Sequence, residues 1–180
     1  INNNTIEIYN GANVGILARN NVDILDNTIS FGERYTQNCG FSQYGNYLRA
    51  IDIDDSDHHI IRNNTITNFA YGIKMSNNTD NVVDSNYIHT TSNYVTTSGS
   101  NYTWTNYGIH ANNSDSLFIT NNTITTESGT IIYQTNGAST IKYNLLETES
   151  GRGIDCENQA GVEFSNNTIF STAGSSDYGI

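Results

Sequence analysis

The sequence predicts an all-β solenoid, a single-stranded parallel β-helix of about seven coils, each with about 22 residues and three short strands, threaded by an internal Asn ladder. Three observations predict it: a composition poor in helix formers, a seven-fold word built around asparagine, and a second word locked in step with the first.

Composition sets the class. Proline is absent, Met and Trp occur once each, and 14% of the 180 residues are charged. Asn, Thr, Ser, Gly, Tyr and Ile dominate, and the scarcity of Leu, Ala, Glu and Lys argues against helix. Ile, Val, Tyr and Phe recur at fixed intervals, so this polar chain still has a core to bury, unlike a disordered one. A formal net charge of -11 excludes nucleic-acid partners, whose phosphates call for Lys and Arg. No apolar run reaches the length of a membrane span.

The first word is apolar-x-x-Asn-x-apolar. It runs Ile1 to Ile6, Ile24 to Ile29, Ile61 to Ile66, Val83 to Ile88, Ile119 to Ile124, Ile141 to Leu146 and Phe164 to Ile169. Its asparagines, Asn4, Asn27, Asn64, Asn86, Asn122, Asn144 and Asn167, are spaced by 23, 37, 22, 36, 22 and 23 residues. The period is therefore about 22, with insertions at about 30–46 and 89–106. The second word, Gly-Ile or its equivalent, places an inward Ile at 16, 51, 73, 109, 131, 154 and 180. From Ile51 to Ile154 each lies thirteen residues before the next ladder Asn, across the second insertion as well.

Each strand alternates inward and outward, so inward Ile stacks on inward Ile of the next coil about 4.8 Å away. The repeated Asn is expected at a tight bend, in a left-handed backbone that Asn tolerates, its amide bonding to the copies above and below. The words begin and end inside a coil and the first residue is Ile1, so 1–180 reads as one segment of a longer chain. Cys39 and Cys156 are too few for a disulfide framework, and Cys156 falls on an inward position. N-x-S/T sequons at Asn3, Asn63, Asn77, Asn101, Asn112, Asn121 and Asn166 arise largely from the repeat's own NNT word.

This pattern resembles the PbH1-type repeats of right-handed parallel β-helix proteins, the pectate-lyase-like architecture shared with polygalacturonases, phage tailspikes, periplasmic NosD-like proteins and archaeal or bacterial adhesin-like surface proteins. The resemblance spans the chain. It implies a right-handed coil, and a groove along the outside of the Gly-Ile strand walled by loops at the corner where both insertions leave. It names no function, because unrelated chemistries and pure scaffolds use the same coil.

Outward positions on that strand follow from alternation. The first column is Leu17, Asp52, Lys74, His110, Ile132 and Asp155; the second is Arg19, Asp54, Ser76, Asn112, Gln134 and Glu157. Asp52, Lys74 and His110 on successive coils, with Tyr35, Tyr44, Tyr94, Tyr102 and Trp104 from the insertions, form the expected carbohydrate-contact set, since planar rings with polar edges suit sugar faces. If the groove is catalytic, Asp52, Asp54, Lys74 and His110 carry the acid–base work. The Gly-His-Gly of polygalacturonases and the arginine base of pectate lyases have no match here. No cofactor is expected beyond a weak Ca²⁺ candidate at Asp54, Asp55 and Asp57, where His58 and His59 follow. On the next strand Ile60, Val82 and Phe118 make an outward apolar stripe, flanked by Asp23, Thr140 and Glu163, of the kind that meets a neighbour.

These features point to a non-catalytic extracellular or cell-surface solenoid, adhesin-like or structural, whose partners are carbohydrate or neighbouring copies in lateral or end-to-end association. The alternatives are a polysaccharide lyase or glycoside hydrolase working in the groove, and a tailspike-like solenoid with the stripe as its seam.

Overall fold

The computed structural model describes residues 1–8, 14–32, 48–91, 93–95, 101–103, 106–158 and 161–172, and among them every regular element is a strand. The chain winds through three parallel sheets. Strands that begin one residue after each ladder Asn, Thr5–Ile8, Thr28–Phe31, Thr65–Phe69, Tyr87–Thr90, Thr123–Thr126, Leu145–Thr148 and Thr168–Ser171, form a seven-stranded ladder sheet. The Gly-Ile words form a six-stranded sheet of Val14–Ala18, Arg49–Asp54, Tyr71–Thr79, Asn106–Asp115, Gly129–Thr135 and Gly151–Glu157. The third sheet holds Asp23–Leu25, Ile60–Arg62, Val82–Asp84, Leu117–Thr120, Ser139–Lys142 and Val162–Ser165. Every strand of these three sheets pairs with its copy on the next coil, as a parallel β-helix requires.

The three sheets enclose columns of aliphatic side chains. Ile24, Ile61, Val83, Ile119 and Ile141 from the third sheet are fully buried, as are Ile29, Ile66, Ile88, Ile124 and Leu146 from the ladder sheet. Each such side chain contributes about 1.5–3 kcal/mol by leaving water. Burial on one side only is what makes the strands alternate.

The ladder is a continuous file of amides. The Oδ1 of each Asn accepts two hydrogen bonds from the coil below, one from the backbone N–H and one from the Nδ2 of the preceding ladder Asn: Asn27 to Asn64, Asn64 to Asn86, Asn86 to Asn122 and Asn122 to Asn144, all at 2.9–3.0 Å. Asn4 gives the same pair to Asn27, and Asn144 to Asn167. The second Nδ2 hydrogen reaches a carbonyl one coil down, from Asn86 to Ile61 O and from Asn122 to Val83 O, both at 2.9 Å. A buried amide whose groups are all paired carries little desolvation penalty, which is why these residues sit inside.

The left-handed residue is the one before the ladder Asn, not the Asn itself. Asn3, Asp26, Asn63, Ser85, Asn121, Tyr143 and Asn166 have φ between 54° and 59°. The reversal of the chain happens there, and the ladder Asn is then in place to start the strand. The expectation of a left-handed ladder Asn is therefore corrected by one residue.

The glycine of the Gly-Ile word is required by packing. A Cβ on Gly72 would lie 2.4 Å from Cγ2 of Ile88 and 2.6 Å from Gly108 O; one on Gly108 would lie 2.3 Å from Cγ2 of Ile124. This position turns inward against the ladder sheet, and so does the Ile after it, which breaks the alternation at this one place. The residue before the glycine consequently faces out.

One coil departs from the expected register. Ile132, not Ile131, pairs with Ile109 below and Ile154 above. Ile131 takes the glycine's place and is also fully buried. Ile132 and Gln134 are thus inward, with Gln134 Nε2 donating to Ser114 O at 3.2 Å, and the outward positions belong to Tyr133 and Thr135.

A second buried polar file lies at the corner after the Gly-Ile sheet. Asn78 Nδ2 donates to Ile53 O at 3.2 Å, and Ser114 Oγ donates to Asn78 Oδ1 at 3.0 Å. His59, fully buried, donates its backbone N–H to Asn81 Oδ1 at 2.8 Å, and its ring bonds Ser56 Oγ and the Val22 backbone. His59 is thus a core histidine of that corner.

Candidate functional site

The outer face of the Gly-Ile sheet carries two adjacent columns. The first, from the residue before the glycine position, is Val14, Arg49, Tyr71, Tyr107, Thr130 and Arg152. The second is Leu17, Asp52, Lys74, His110, Tyr133 and Asp155. Asp52, Lys74 and His110 therefore stand side by side, as expected. The first column was missed, because strict alternation points Tyr71 and Tyr107 into the core.

Across these columns the rings make a cluster. Tyr71 and Tyr107 lie 5.2 Å apart by centroid, His110 lies edge-on to Tyr107 at 4.8 Å and to Tyr71 at 5.5 Å, and Tyr133 lies 5.1 Å from His110 and 5.7 Å from Tyr107. Edge-to-face and offset pairs of this kind add about 0.5–1.5 kcal/mol each beyond burial. The cluster is bounded along the solenoid axis by two ion pairs of the same form, Arg49 with Asp52 and Arg152 with Asp155.

Electrostatics follow from this packing. Burial, then the Lys74 ammonium and Arg49, pull the His110 pKa down to about 4, against a backbone hydrogen bond that raises it, so the imidazole is neutral at pH 7. Its Nδ1 is buried without a hydrogen-bond partner among the described residues, as is Asp52 Oδ1. Burial pushes the Tyr71 hydroxyl up to about 12, and burial with Asp155 and Glu157 raises Tyr107. The phenols stay protonated, able to donate and accept. Burial and Asp155 lift the Cys156 thiol to about 11, which makes it a poor nucleophile.

At Thr130 the first column drops to a small side chain between Tyr107 and Arg152, and the face opens into a bay of about 390 Å³. Its walls are Tyr107, Tyr133, Arg152, Asp155 and Glu157; Gly129 and Gly151 form its edge. Those two glycines have φ of 106° and 131°, and a Cβ on either would meet backbone at 2.2 Å or less, so the edge cannot be filled by a side chain. Tyr133 Oη donates to Glu157 Oε2 at 3.2 Å. The bay thus offers two ring surfaces, a guanidinium and two carboxylates at the lower end of the size range for small-ligand sites.

The other expected site residues fall as follows. Tyr35, Tyr44, Trp104 and Cys39 lie outside the described residues. Tyr94 and Tyr102 are backbone partners in the register of an antiparallel hairpin, Asn93–Val95 with Asn101–Thr103, which forms part of the second insertion. Asp54 stands in the outer column of Ser76, Asn112, Thr135 and Glu157. Asp55 accepts from Asn77 Nδ2 at 2.9 Å and Asp57 from the Thr79 N–H at 2.6 Å. Among the described residues no three His, Cys, Asp or Glu side chains gather to hold a metal, so Asp54, Asp55 and Asp57 do not form a cation site together. Asp55 and Asp57 are turned toward the next coil instead. Ile60, Val82 and Phe118 do align on the third sheet, between Asp23 and Thr140, and Phe118 is 47% exposed.

A family model described as right handed beta helix region matches residues 37–180. Neither a curated protein nor a solved structure matches the chain.

Proposed function

We propose that this chain, which belongs to the right-handed beta-helix family, is a non-catalytic extracellular solenoid, adhesin-like or structural, that contacts glycans through the outer face of its Gly-Ile sheet. The observation that carries the reading is the bay beside Thr130, where Tyr107 and Tyr133 present apolar ring surface next to hydrogen-bonding groups. Sugars are apolar across the ring and hydroxylated around it, and that combination suits them.

The acids support binding over catalysis. Asp52 is 5% exposed and held by Arg49, Asp155 is held by Arg152, and Glu157 accepts from Tyr133. A general acid or base must reach the bond being cleaved, and these carboxylates already have partners. The neutral His110, enclosed by rings, supports the face as structure rather than as a proton shuttle. A second contact surface in this reading is the stripe of Ile60, Val82 and Phe118, laid against a neighbouring copy.

The experiment is affinity electrophoresis against neutral and uronate polysaccharides, with Tyr133→Ala as control, and a parallel assay for reducing ends and unsaturated products with and without Ca²⁺. Retention of the wild type, its loss in Tyr133→Ala and no released product are expected. Product release that disappears in Asp155→Asn or Asp52→Asn would replace the binding reading with a hydrolase or lyase.

A further inference from the structure

The left-handed corner position before each ladder Asn reads, coil by coil, Asn3, Asp26, Asn63, Ser85, Asn121, Tyr143 and Asn166. Asparagine returns on every second coil, and each time the residue two places on is a threonine that opens the ladder-sheet strand: Thr5, Thr65, Thr123 and Thr168. We infer that Asn3, Asn63, Asn121 and Asn166 are N-glycosylation sites that raise a single file of glycans along one edge of the solenoid.

Four features of the structure carry this. All four asparagines are exposed, while the ladder residue between acceptor and threonine faces inward, so sequon and core do not compete. Adjacent coils are about 4.8 Å apart, too close for two glycan stems, whereas alternate coils give about 9.6 Å. Asn63 Nδ2 donates to Asp26 Oδ1 at 3.1 Å and Asn121 Nδ2 to Asp84 Oδ1 at 2.8 Å. A glycosylated amide keeps one N–H, so this bond survives the modification and aims the sugar outward. Finally, the corner joins the third sheet to the ladder sheet, across the triangle from the Gly-Ile sheet, so the glycans leave the Gly-Ile face clear.

The sequons at Asn77 and Asn112 differ. Asn77 is clasped on both sides, Nδ2 to Asp55 Oδ1 and Oδ1 from Asn113 Nδ2, each at 2.9 Å. Asn112 belongs to a sequon whose Ser114 is fully buried and bonded to Asn78. In the reaction the acceptor Nδ2 loses a proton and forms a bond to the anomeric carbon of an oligosaccharide, and the pyrophosphate of a lipid carrier departs; the donor class is a lipid-pyrophosphate oligosaccharide.

The inference rests on the extracellular placement, and the experiment separates the two. The protein is recovered from the producing organism by fractionation, its compartment is recorded, and intact glycopeptides are mapped by mass spectrometry. Sugar mass on the four corner sites of exported protein is expected, and Thr65→Val with Thr123→Val should remove the mass at Asn63 and Asn121 while the melting curve stays unchanged. Exported protein bare at all four, or modified only at Asn77 or Asn112, overturns the glycan file and leaves the contact face standing. Bare protein confined to the cytosol overturns both.

Discussion

Asn86 gives both its backbone N–H and a side-chain N–H to the one Oδ1 of Asn122, at 2.9 and 3.0 Å, across 36 residues of sequence. Asn64 does the same to Asn86 from below. Asn86→Ala therefore orphans two buried donors of Asn64, removes the side-chain donor to Ile61 O, and leaves Asn122 Oδ1 with the backbone N–H alone. We expect a loss of about 2–5 kcal/mol, read from urea unfolding, since unpaired buried groups cost about 1–3 kcal/mol each and partial relaxation recovers some of it.

Tyr143 holds the left-handed corner at φ 59° with its side chain largely exposed. A non-glycine residue pays about 1–2 kcal/mol there, and Asn pays less. Tyr143→Asn should raise stability by about 0.5–1 kcal/mol in the same assay. It creates no sequon, because Leu145 follows Asn144.

Gly108→Ala places a methyl group 2.3 Å from Ile124 Cγ2 and 2.7 Å from Ile131 O. Overpacking of this kind costs about 1–3 kcal/mol, and the backbone oxygen cannot step aside as a side chain can. Trimming the neighbour, in Gly108→Ala with Ile124→Ala, should therefore fail to restore the wild-type thermal midpoint.

His110 sets a pH dependence. Its folded pKa of about 4 lies below the ordinary 6.5, because burial and then Lys74 disfavour the charged ring. The unfolded chain thus binds the proton first as pH falls, so the stabilisation is full above pH 6.5 and is lost down to about pH 4. Carboxylates titrate in the same window, so the comparison is with His110→Phe. Between pH 7 and pH 4 the wild type should lose about 2–3 kcal/mol more than the variant.

The architecture was legible because the ladder Asn and the inward Ile repeat in residue type as well as in spacing. Asn27 and Asn64 are recognisable partners 37 residues apart because the same apolar-x-x-Asn-x-apolar word surrounds each. The slip at Ile131 and Ile132 was not legible, since two adjacent Ile residues satisfy the pattern equally and only stacking against Ile109 and Ile154 chooses between them. That choice decides that Tyr133, not Ile132, reaches the face. Tyr71 and Tyr107 were hidden for a related reason: the glycine beside each folds inward, and a period-two reading carries no sign of it. A bulky aromatic directly before a Gly-Ile word, as in Tyr71-Gly72-Ile73 and Tyr107-Gly108-Ile109, is the signal that would have found them.

The winding of the chain is tested most directly by nuclear Overhauser contacts among side-chain amide protons. An unbroken series joining Asn64 to Asn86, Asn86 to Asn122 and Asn122 to Asn144, over sequence separations of 22, 36 and 22, is the expected result. Contacts that skip a member of the series, or that tie these amides to residues of the Gly-Ile sheet, would contradict it.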